Sequence, residues 1–269
     1  MKISIVTISF NQAGYLERAI KSVLSQNKDV DLEYIVVDAG SSDDSRQIID
    51  SYRDKGIDHI IFEQDDGPAD GLNKGFTKAT GDIYGYLNAD DEFIPGALKE
   101  ALDFFQKNPG VDVVSAHGEI IDQDDKFLHK CFSHKFNLQR YVEGNCVVVQ
   151  QSTFFRADAF KSSDGFNKNN RVSWDGELMV DMALKGAKFA RLHRYWSRFR
   201  VYDQSISGSG AFLDKARAEH KRITGKVIDN EIKPNTQKIN WLLSRLSDPV
   251  LLILRIVDGM KNGRRIIPS

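Results

Sequence analysis

The stretch YGYLNADD, residues 84–91, is an apolar run that ends in two adjacent carboxylates, Asp90 and Asp91. This pattern is typical of a strand that carries acidic side chains to its carboxyl end, where open α/β sheets bind their ligands. Each carboxylate raises the cost of ionising the other unless a cation or a strong donor lies between them. A hard divalent ion that also binds phosphate oxygens would satisfy both. The alternative is that Asp91 caps a helix over about residues 94–106.

Strand-like and helix-like segments alternate through the first half of the chain. The predicted strands are residues 3–10, 34–38, 59–63, the run before Asp90, and 111–116; the predicted helices are residues 15–24, 45–55, 69–79 and 94–106. Such alternation predicts an α/β fold with a mostly parallel sheet and helices on both faces. The ligand edge of that sheet is expected to carry Phe10, Asp38, Glu63 and Asp90.

The second half of the chain has shorter and more polar segments, and no linker rich in Pro, Gly or Ser separates it from the first half. The predicted segments are residues 119–122, 126–130 and 147–156, a helix over 176–185, and a charged helix over about 209–224. We therefore predict one domain over residues 1–208, divided at about residue 116, and a helical C-terminal extension over residues 209–269.

Bulk properties exclude some classes of function. The 269 residues carry a net charge of −1, so no global field recruits nucleic acid. Cys131 and Cys146 have neither metal-like nor redox spacing, which favours a reducing compartment. The first ten residues predict a strand instead of a signal peptide, and the apolar run 249–254 is far shorter than the ~20 residues that cross a bilayer. We expect a cytoplasmic protein with no membrane span.

The tail from residue 239 onward predicts an amphipathic helix with a basic end. Its apolar face consists of Leu242, Leu243, Leu246, Val250, Ile253, Val257 and Met260; its polar face includes Ser244, Ser247, Asp248, Arg255 and Asp258, and Lys261, Arg264 and Arg265 follow. Pro249 is a candidate kink. Three roles stay open: docking on its own domain, homodimer contact with a twin subunit, and peripheral contact with the cytoplasmic face of the inner membrane.

Two polar clusters close the first two strands. Phe10 is placed to stack on a base and Asn11 to hydrogen-bond beside it; no G-x-G-x-x-G motif follows, which weighs against a dinucleotide fold. Asp38 is placed to accept from a uracil N–H or a ribose hydroxyl. The alternative for Asp38 is a helix cap or turn, a role that Ser42 or Asp43 fills more naturally.

Two further clusters lie on predicted helices. Asp70 and Lys74 stand four residues apart, which predicts a surface ion pair; the alternative is that Lys74 neutralises a diphosphate. Asp175 precedes an apolar-periodic helix, and a cap is one interpretation of it. Gly176 weakens that helix start and indicates close approach of another group to the backbone.

Together these clusters resemble family 2 of the inverting glycosyltransferases, the GT-A-type enzymes that use nucleotide-diphosphate sugars. The segments that carry the resemblance are ISFNQ with YLERAIKSVLSQ, EYIVVDAGSSDDS, DDGPADGLNKGFTKATGDIYGYLNADD, QQSTFFR and WDGEL, in this order over about residues 2–185. The segments GPADGLNKG and LNADD are similar to bacterial enzymes that build surface polysaccharides.

The resemblance implies a role for individual residues. Phe10 and Asp38 would hold the base, and the acidic motif of Asn88, Asp90 and Asp91 would bind the ribose and a Mg²⁺ or Mn²⁺ ion, with Asp90 and Asp91 as the metal ligands. The sheet would be of the mixed, Rossmann-like GT-A type. Asp175 would be the catalytic base, and Asn11, Asp70 and Lys74 complete the candidate nucleotide-sugar site. The sequence departs from the family pattern at Ala39, where many members have a second Asp, at Asn88 in place of an acid, and at Trp174 in place of a common Glu.

The sequence therefore predicts a GT-A-type inverting hexosyltransferase with a nucleotide-binding half over about residues 1–116 and an acceptor half over about 117–208. It would transfer a sugar, UDP-linked, to a hydroxyl acceptor such as a polyprenyl-diphosphate-linked saccharide. One alternative is a nucleotide-sugar-binding or assembly protein without turnover. The other is a nucleotidyltransferase, which would release diphosphate instead of a nucleoside diphosphate.

Overall fold

The computed structural model describes residues 1–202, 213–230 and 249–262. The strands are β1 Lys2–Ser9, β2 Asp31–Asp38, β3 His59–Phe62, β4 Ile83–Asn88, β5 Glu92–Phe93, β6 Val113–Ile121, β7 Phe127–Cys131, β8 Thr153–Arg156 and β9 Phe189–Arg200. The helices are α1 Ala13–Leu24, α2 Ser45–Ser51, α3 Pro68–Phe76, α4 Ala97–Lys107, α5 Leu138–Val142, α6 Ala157–Ser162, α7 Trp174–Leu184, α8 Leu213–Asp229 and α9 Pro249–Asn262, with a 3₁₀ turn at Gln150–Ser152.

One mixed sheet organises the domain. Its strand order is β3-β2-β1-β4-β8-β6-β9-β5, and β7 pairs with β6 outside this path. Strands β3, β2, β1 and β4 run parallel to one another, whereas β8 is antiparallel to both of its neighbours, β4 and β6. The predicted mixed α/β sheet is confirmed, with its parallel part in the first half of the chain.

Alternating side chains bury the parallel strands on both faces. In β1, Ile3 and Ile5 enter one hydrophobic cluster and Val6 enters the other. Helices α1 and α4 cover the first face, and α3, α7 and α8 cover the second. A Cβ at Gly75 would collide with the side chain of Val6, so this glycine lets α3 lie directly against β1. The predicted helices on both faces are confirmed.

The largest departure from the predicted elements is β9. It pairs with β6 in parallel and with the short β5 in antiparallel fashion, and no strand was predicted over residues 189–200. In the predicted strand 147–156, only Thr153–Arg156 is a strand, and the 3₁₀ turn precedes it. Strand β9 matters for function because its last residues reach the ligand edge of the sheet.

The C-terminal extension contributes two helices to the described structure. Ile223 and Val227 of α8 are fully buried in the core, and α9 contacts β7. Residues 203–212, 231–248 and 263–269 lie outside the described residues, so the predicted boundary at residue 208 and the predicted kink at Pro249 stay predictions. None of the helices described has the length and apolar character needed to cross a membrane.

The burial of side chains on α9 differs from what its predicted apolar and polar faces would give. Leu251 and Asp258 are buried, and the Arg255 guanidinium lies 3.3 Å from His134 Nε2. Val250, Ile253 and Val257 of the predicted apolar face are instead exposed, at 47%, 59% and 42%. The side of α9 that faces the domain therefore carries Leu251, Arg255 and Asp258, the last two of which the sequence places on the polar face. The other predicted face residues Leu242, Leu243, Ser244, Leu246, Ser247 and Asp248 lie outside the described residues.

Candidate active site

The carboxyl ends of the parallel strands form one edge with a cleft above it. Ser9 of β1 is in register with Asp38 of β2, and Ile8 is in register with Asn88 of β4. The cleft has a volume of about 480 Å³. Its lining includes Ser9, Phe10, Gln12, Ala39, Asp65, Asp66, Gly67, Asn88, Asp90, Arg171, Trp174, Arg200 and Tyr202. Strand order reverses between β1 and β4, which is where open α/β sheets bind ligands.

Asp90 lies on the floor of this cleft, two residues beyond the end of β4. Its Oδ2 accepts a hydrogen bond from the Tyr202 hydroxyl at 3.0 Å, and its carbonyl oxygen accepts from Arg200 Nε at 3.0 Å. Burial raises the pKa of Asp90, and the Tyr202 hydrogen bond and the charge of Arg200 oppose that rise. Because burial disfavours the charged form, Asp90 is poised to gain from a bound cation.

Asp91 lies beneath the cleft and does not line it. Only 1% of Asp91 is exposed, and its carboxylate accepts from the Arg200 amide at 3.0 Å, Gln151 Nε2 at 2.8 Å and Asn88 Nδ2 at 3.3 Å. Burial, followed by the charge of Asp90, raises its pKa well above the ordinary value. The helix over Ala97–Lys107 begins too far along the chain for the predicted Asp91 cap.

Arg200 is a buried arginine that organises this corner. Besides the Asp90 carbonyl, its guanidinium donates to the Asp122 carbonyl at 2.9 Å and Glu92 Oε1 at 3.0 Å, and it pairs with Asp125 at 2.6 Å. Its charge is therefore neutralised by the protein itself, and its donors hold the loop that follows β4.

Asp38 is fully buried at the end of β2 and is bonded within its own loop. Its oxygens accept from the amides of Gly40 and Ser41 at 3.1 and 2.9 Å, from Ser41 Oγ at 2.5 Å and from Arg46 Nε at 2.8 Å. Burial alone would raise the pKa of Asp38, but the hydrogen bonds from Ser41 and Arg46 outweigh it and lower the pKa. Asp38 does not line the cleft, whereas its neighbour Ala39 does.

Phe10 and Asn11, in the loop after β1, have different roles. Phe10 is 58% exposed and lines the cleft, so its ring is free to stack. Asn11 adopts a positive φ of 53°, which Asn tolerates better than most residues. Its Oδ1 accepts from the Ser42 amide at 2.8 Å, which ties the loop after β1 to the loop after β2.

Asp70 and Lys74 form the surface ion pair that their spacing predicts. Their charged groups are 3.5 Å apart, and Lys74 also pairs with Glu63 at 3.0 Å and donates to the Gln64 carbonyl. Neither side chain lines the cleft. Asp65 and Asp66 of the same segment line it instead, and burial raises the pKa of Asp65.

Asp175 lies in the first turn of α7, with Ser173 at the N-cap position, so Asp175 is not the cap. It lines a second, smaller cavity of about 200 Å³ next to Tyr141 and Gln150, while Trp174 lines the main cleft. Burial raises the pKa of Asp175, although the Gly176 amide hydrogen bond opposes the rise. Such a half-buried carboxylate has the environment that suits a general base.

The donor set of the cleft fits a Mg²⁺ or Mn²⁺ ion. Within the described part of the chain, no group of three or more His, Cys, Asp or Glu side chains is arranged to hold a metal. Mg²⁺ keeps several waters and is usually bound through one or two carboxylates plus substrate phosphates. Asp90, a carboxylate disfavoured by burial and open to the cleft, meets that requirement.

Sequence reasoning missed three residues of the cleft, Arg171, Arg200 and Tyr202. Arg200 and Tyr202 end or follow β9, a strand that was itself not predicted. Arg171 is an exposed side chain in the loop before α7, and no local pattern marks it. A polar residue next to a predicted strand end is the signal that finds Asn88 and Asp90, and none of these three has it.

Comparison with known proteins gives a match to the model described as "Glycosyl transferase family 2" over residues 4–163. An uncharacterized glycosyltransferase of Nostoc sp. is 41% identical over 130 residues, which are 48% of this chain and 40% of that protein. The GalNAc(5)-diNAcBac-PP-undecaprenol beta-1,3-glucosyltransferase of Campylobacter jejuni is 28% identical over 250 residues, 88% of this chain and 77% of that protein.

Two solved structures share the fold. S. aureus TarS 1-349 in complex with UDP-GlcNAc gives a TM-score of 0.63 at 18% identity, over 77% of this chain and 61% of that chain. The mannosyltransferase PcManGT of Pyrobaculum calidifontis, in complex with GDP-Man and Mn²⁺, gives a TM-score of 0.62 at 16% identity, over 87% of this chain and 65% of that chain. The predicted GT-A-type fold is thereby confirmed.

Proposed function

The chain belongs to glycosyl transferase family 2, and we propose that it transfers one sugar from a UDP-linked donor to a hydroxyl acceptor with inversion at the anomeric carbon. The observation that carries this proposal is Asp90, a carboxylate that burial disfavours, at the strand-order reversal of the sheet and in a cleft of about 480 Å³. TarS, which shares the fold, binds UDP-GlcNAc.

In this proposal the nucleotide lies over the carboxyl ends of β1, β2 and β4. The exposed ring of Phe10 stacks on the base, and Asn88 faces the ribose. Asp38 does not contact the nucleotide and instead holds the loop after β2, which carries Ala39. Asn11 connects that loop to the loop after β1. We assign Asp70 and Lys74 to the support of this edge, because their charges pair with one another.

Asp175 would be the catalytic base. As the acceptor oxygen forms a bond to the anomeric carbon, its proton passes to Asp175, and the bond between that carbon and the diphosphate breaks from the opposite face. Configuration therefore inverts, and a nucleoside diphosphate leaves. The raised pKa of Asp175 brings it nearer to the pH of the reaction, which favours proton transfer.

Asp90 would hold a Mg²⁺ or Mn²⁺ ion, which stabilises the charge that develops on the departing diphosphate. A structure of the same fold, PcManGT, contains Mn²⁺ with its donor. We assign Asp91 to the positioning of Asn88 and the Arg200 backbone, since its three hydrogen bonds leave it beneath the cleft floor.

We propose a lipid-linked saccharide as the acceptor, in the synthesis of a bacterial surface polysaccharide. The Campylobacter jejuni relative is the GalNAc(5)-diNAcBac-PP-undecaprenol beta-1,3-glucosyltransferase. The exposed stripe of Val250, Ile253 and Val257 on α9, with Lys261, Arg264 and Arg265 after it, suits peripheral contact with an anionic membrane at the cytoplasmic face.

The decisive experiment measures the leaving group. The protein is incubated with UDP-sugars, and with GDP-mannose for comparison, in Mn²⁺ or Mg²⁺, with and without acceptor. We expect release of a nucleoside diphosphate that depends on Asp175. Release of diphosphate would establish a nucleotidyltransferase instead, and tight donor binding without any turnover would establish a binding or assembly protein. The anomeric configuration of the product, read by NMR, tests inversion.

A further inference from the structure

The main cleft has two cationic side chains in its described lining, Arg171 and Arg200. Arg200 is buried, and its guanidinium is committed to Glu92, Asp122 and Asp125. Lys74, the lysine that the sequence suggests for a diphosphate, pairs with acidic neighbours outside the cleft. Among the described residues that line the cleft, Arg171 is therefore the one whose positive charge is available to a ligand.

Arg171 is available for that role. It is exposed, and no hydrogen bond or ion pair joins its guanidinium to any residue within 1–202, 213–230 or 249–262. Its side chain runs along the backbone of Gly67, where an added Cβ would lie 3.7 Å from Arg171 Cγ. Gly67 has a φ of +120°, so it also allows the chain to turn into α3 beneath the arginine.

The loop that carries Arg171 is held firmly on both sides. Before it, Asn73 of α3 clamps Phe166, donating to its carbonyl at 2.8 Å and accepting from its amide at 3.0 Å. After it, the Oδ1 of the fully buried Asn170 accepts from the amides of Val172 and Ser173 at 3.2 and 2.9 Å. The turn around Arg171 is thus set before any ligand arrives.

A buried glutamate extends this support to the C-terminal extension. Glu177 accepts from Asn170 at 2.8 Å and from Asn167 at 3.1 Å, and it pairs with Arg222 of α8 at 2.5 Å. Hydrogen bonds from Arg222, Asn170 and Asn167 hold the pKa of Glu177 below its ordinary value in spite of burial. The same charged pair therefore supports the loop of Arg171 and the first turn of α7, which carries Asp175.

The acidic lining of the cleft favours a cationic side chain beside a bound diphosphate. Asp65, Asp66 and Asp90 line it, and a diphosphate would add further negative charge. A guanidinium pairs with phosphate oxygens through two parallel N–H donors, which an ammonium group cannot do. We infer that Arg171 binds the diphosphate of the donor and of the nucleoside diphosphate product. This inference rests on the proposed function, and it assigns to Arg171 the role that the sequence suggests for Lys74.

The test compares a ligand with the diphosphate, UDP, and one without it, uridine. Affinities of the full chain are measured by calorimetry in EDTA, so that no metal contributes. A charge-assisted pair at an exposed site predicts that Arg171→Gln weakens UDP binding by about 10-fold and leaves uridine binding unchanged. Arg171→Lys, which keeps the charge but loses the fork, should fall between Arg171→Gln and the wild type.

Lys168→Gln is the matched control, because Lys168 is an exposed cation three residues earlier in the same loop and does not line the cleft. Equal UDP affinities of Arg171→Gln and the wild type would overturn the inference. Turnover by the wild type would in that case still support the proposed function. An equal loss in Lys168→Gln would also overturn it, because the effect would then be a general one of loop charge. Absence of UDP binding and turnover in the wild type would mean that the proposed function itself has failed.

Discussion

Glu33 and Asp90, two carboxylates at opposite ends of the parallel strands, differ in the partners that the protein gives them. At the amino end, Glu33 accepts from Lys2 Nζ at 2.8 Å, Ser4 Oγ at 2.5 Å and both the amide and the hydroxyl of Thr80 at 2.7 and 2.6 Å. Burial alone would raise the pKa of Glu33, but these partners lower it to about 2. At the carboxyl end, burial raises the pKa of Asp90.

The difference separates acids that stabilise the fold from acids that are left for a ligand. Glu33 obtains its cation and donors from β1 and from the turn before β4. The folded protein therefore stabilises the charge of Glu33 without any bound ligand. Asp90 has the Tyr202 hydroxyl as its side-chain partner, and its charge would gain most from an ion that the protein does not supply. Asp175 is of the second kind, since it too has a pKa that burial raises.

The largest expected effect is on turnover, at Asp175 in the first turn of α7. Asp175→Asn should lower turnover by roughly 10²- to 10⁴-fold, because a general base acts in the transition state. The UDP-sugar affinity and the free energy of unfolding should change little. Near wild-type turnover would show that Asp175 contributes only to the first turn of α7.

Removing the Asp90 carboxylate at the carboxyl end of β4 should abolish the effect of the metal ion on UDP binding. Asp90→Asn should bind UDP equally with Mn²⁺ and with EDTA, whereas Mn²⁺ should tighten UDP binding to the wild type. Because burial raises the pKa of Asp90, the Mn²⁺ effect in the wild type should weaken on acidification at a higher pH than an ordinary aspartate would give. A Mn²⁺ effect that persists in Asp90→Asn would contradict the assignment.

At the amino end, the same kind of substitution should act on stability. A pKa of about 2 against an ordinary 4.5 corresponds to about 3 kcal/mol, so Glu33→Gln should lower the free energy of unfolding at pH 7 by up to about 3 kcal/mol. Urea denaturation measures it. Turnover of the folded variant should stay near that of the wild type, which is the converse of Asp175→Asn.

The stability that Glu33 contributes should depend on pH in a defined direction. A carboxylate with a lowered folded pKa contributes stability above its unfolded pKa, and that contribution is lost as the pH falls toward the folded value. The stability difference between the wild type and Glu33→Gln should therefore be full above about pH 5 and vanish toward pH 2. A difference that stays constant over this range would mean that Glu33 acts through packing instead of charge.

Local patterns predicted the elements of the first half and the acids at its ligand edge, because each strand there ends directly in its polar residue. They did not find β9, because this arginine-rich segment has no clear alternation of apolar and polar residues and pairs with β6, which is far away in the sequence. They also identified which residues of α9 share a face but not which face docks. In the structure Asp258 is buried and the Arg255 guanidinium lies 3.3 Å from His134 Nε2, contacts with residues distant in the sequence that no local pattern could show.

The smallest expected effect concerns the exposed face of α9. Replacing Ile253 and Val257 together by Ser should weaken binding to anionic vesicles by about 10-fold, since a peripheral helix binds through buried apolar area and lipid charge. Binding should also fall with added salt, because basic residues near such a surface contribute about 1 kcal/mol each over a short, screened range.

Ile228→Ser on α8 is the control for this last prediction, because Ile228 is another exposed apolar residue, at 37% exposure, on a different helix. Turnover on a soluble acceptor should be unchanged in the α9 variant, since this face lies apart from the cleft lining. Equal sedimentation of both variants and the wild type with vesicles at low salt would contradict the membrane role. A concentration-dependent dimer that is lost only in the α9 variant would instead identify the face as a contact between two copies of the chain.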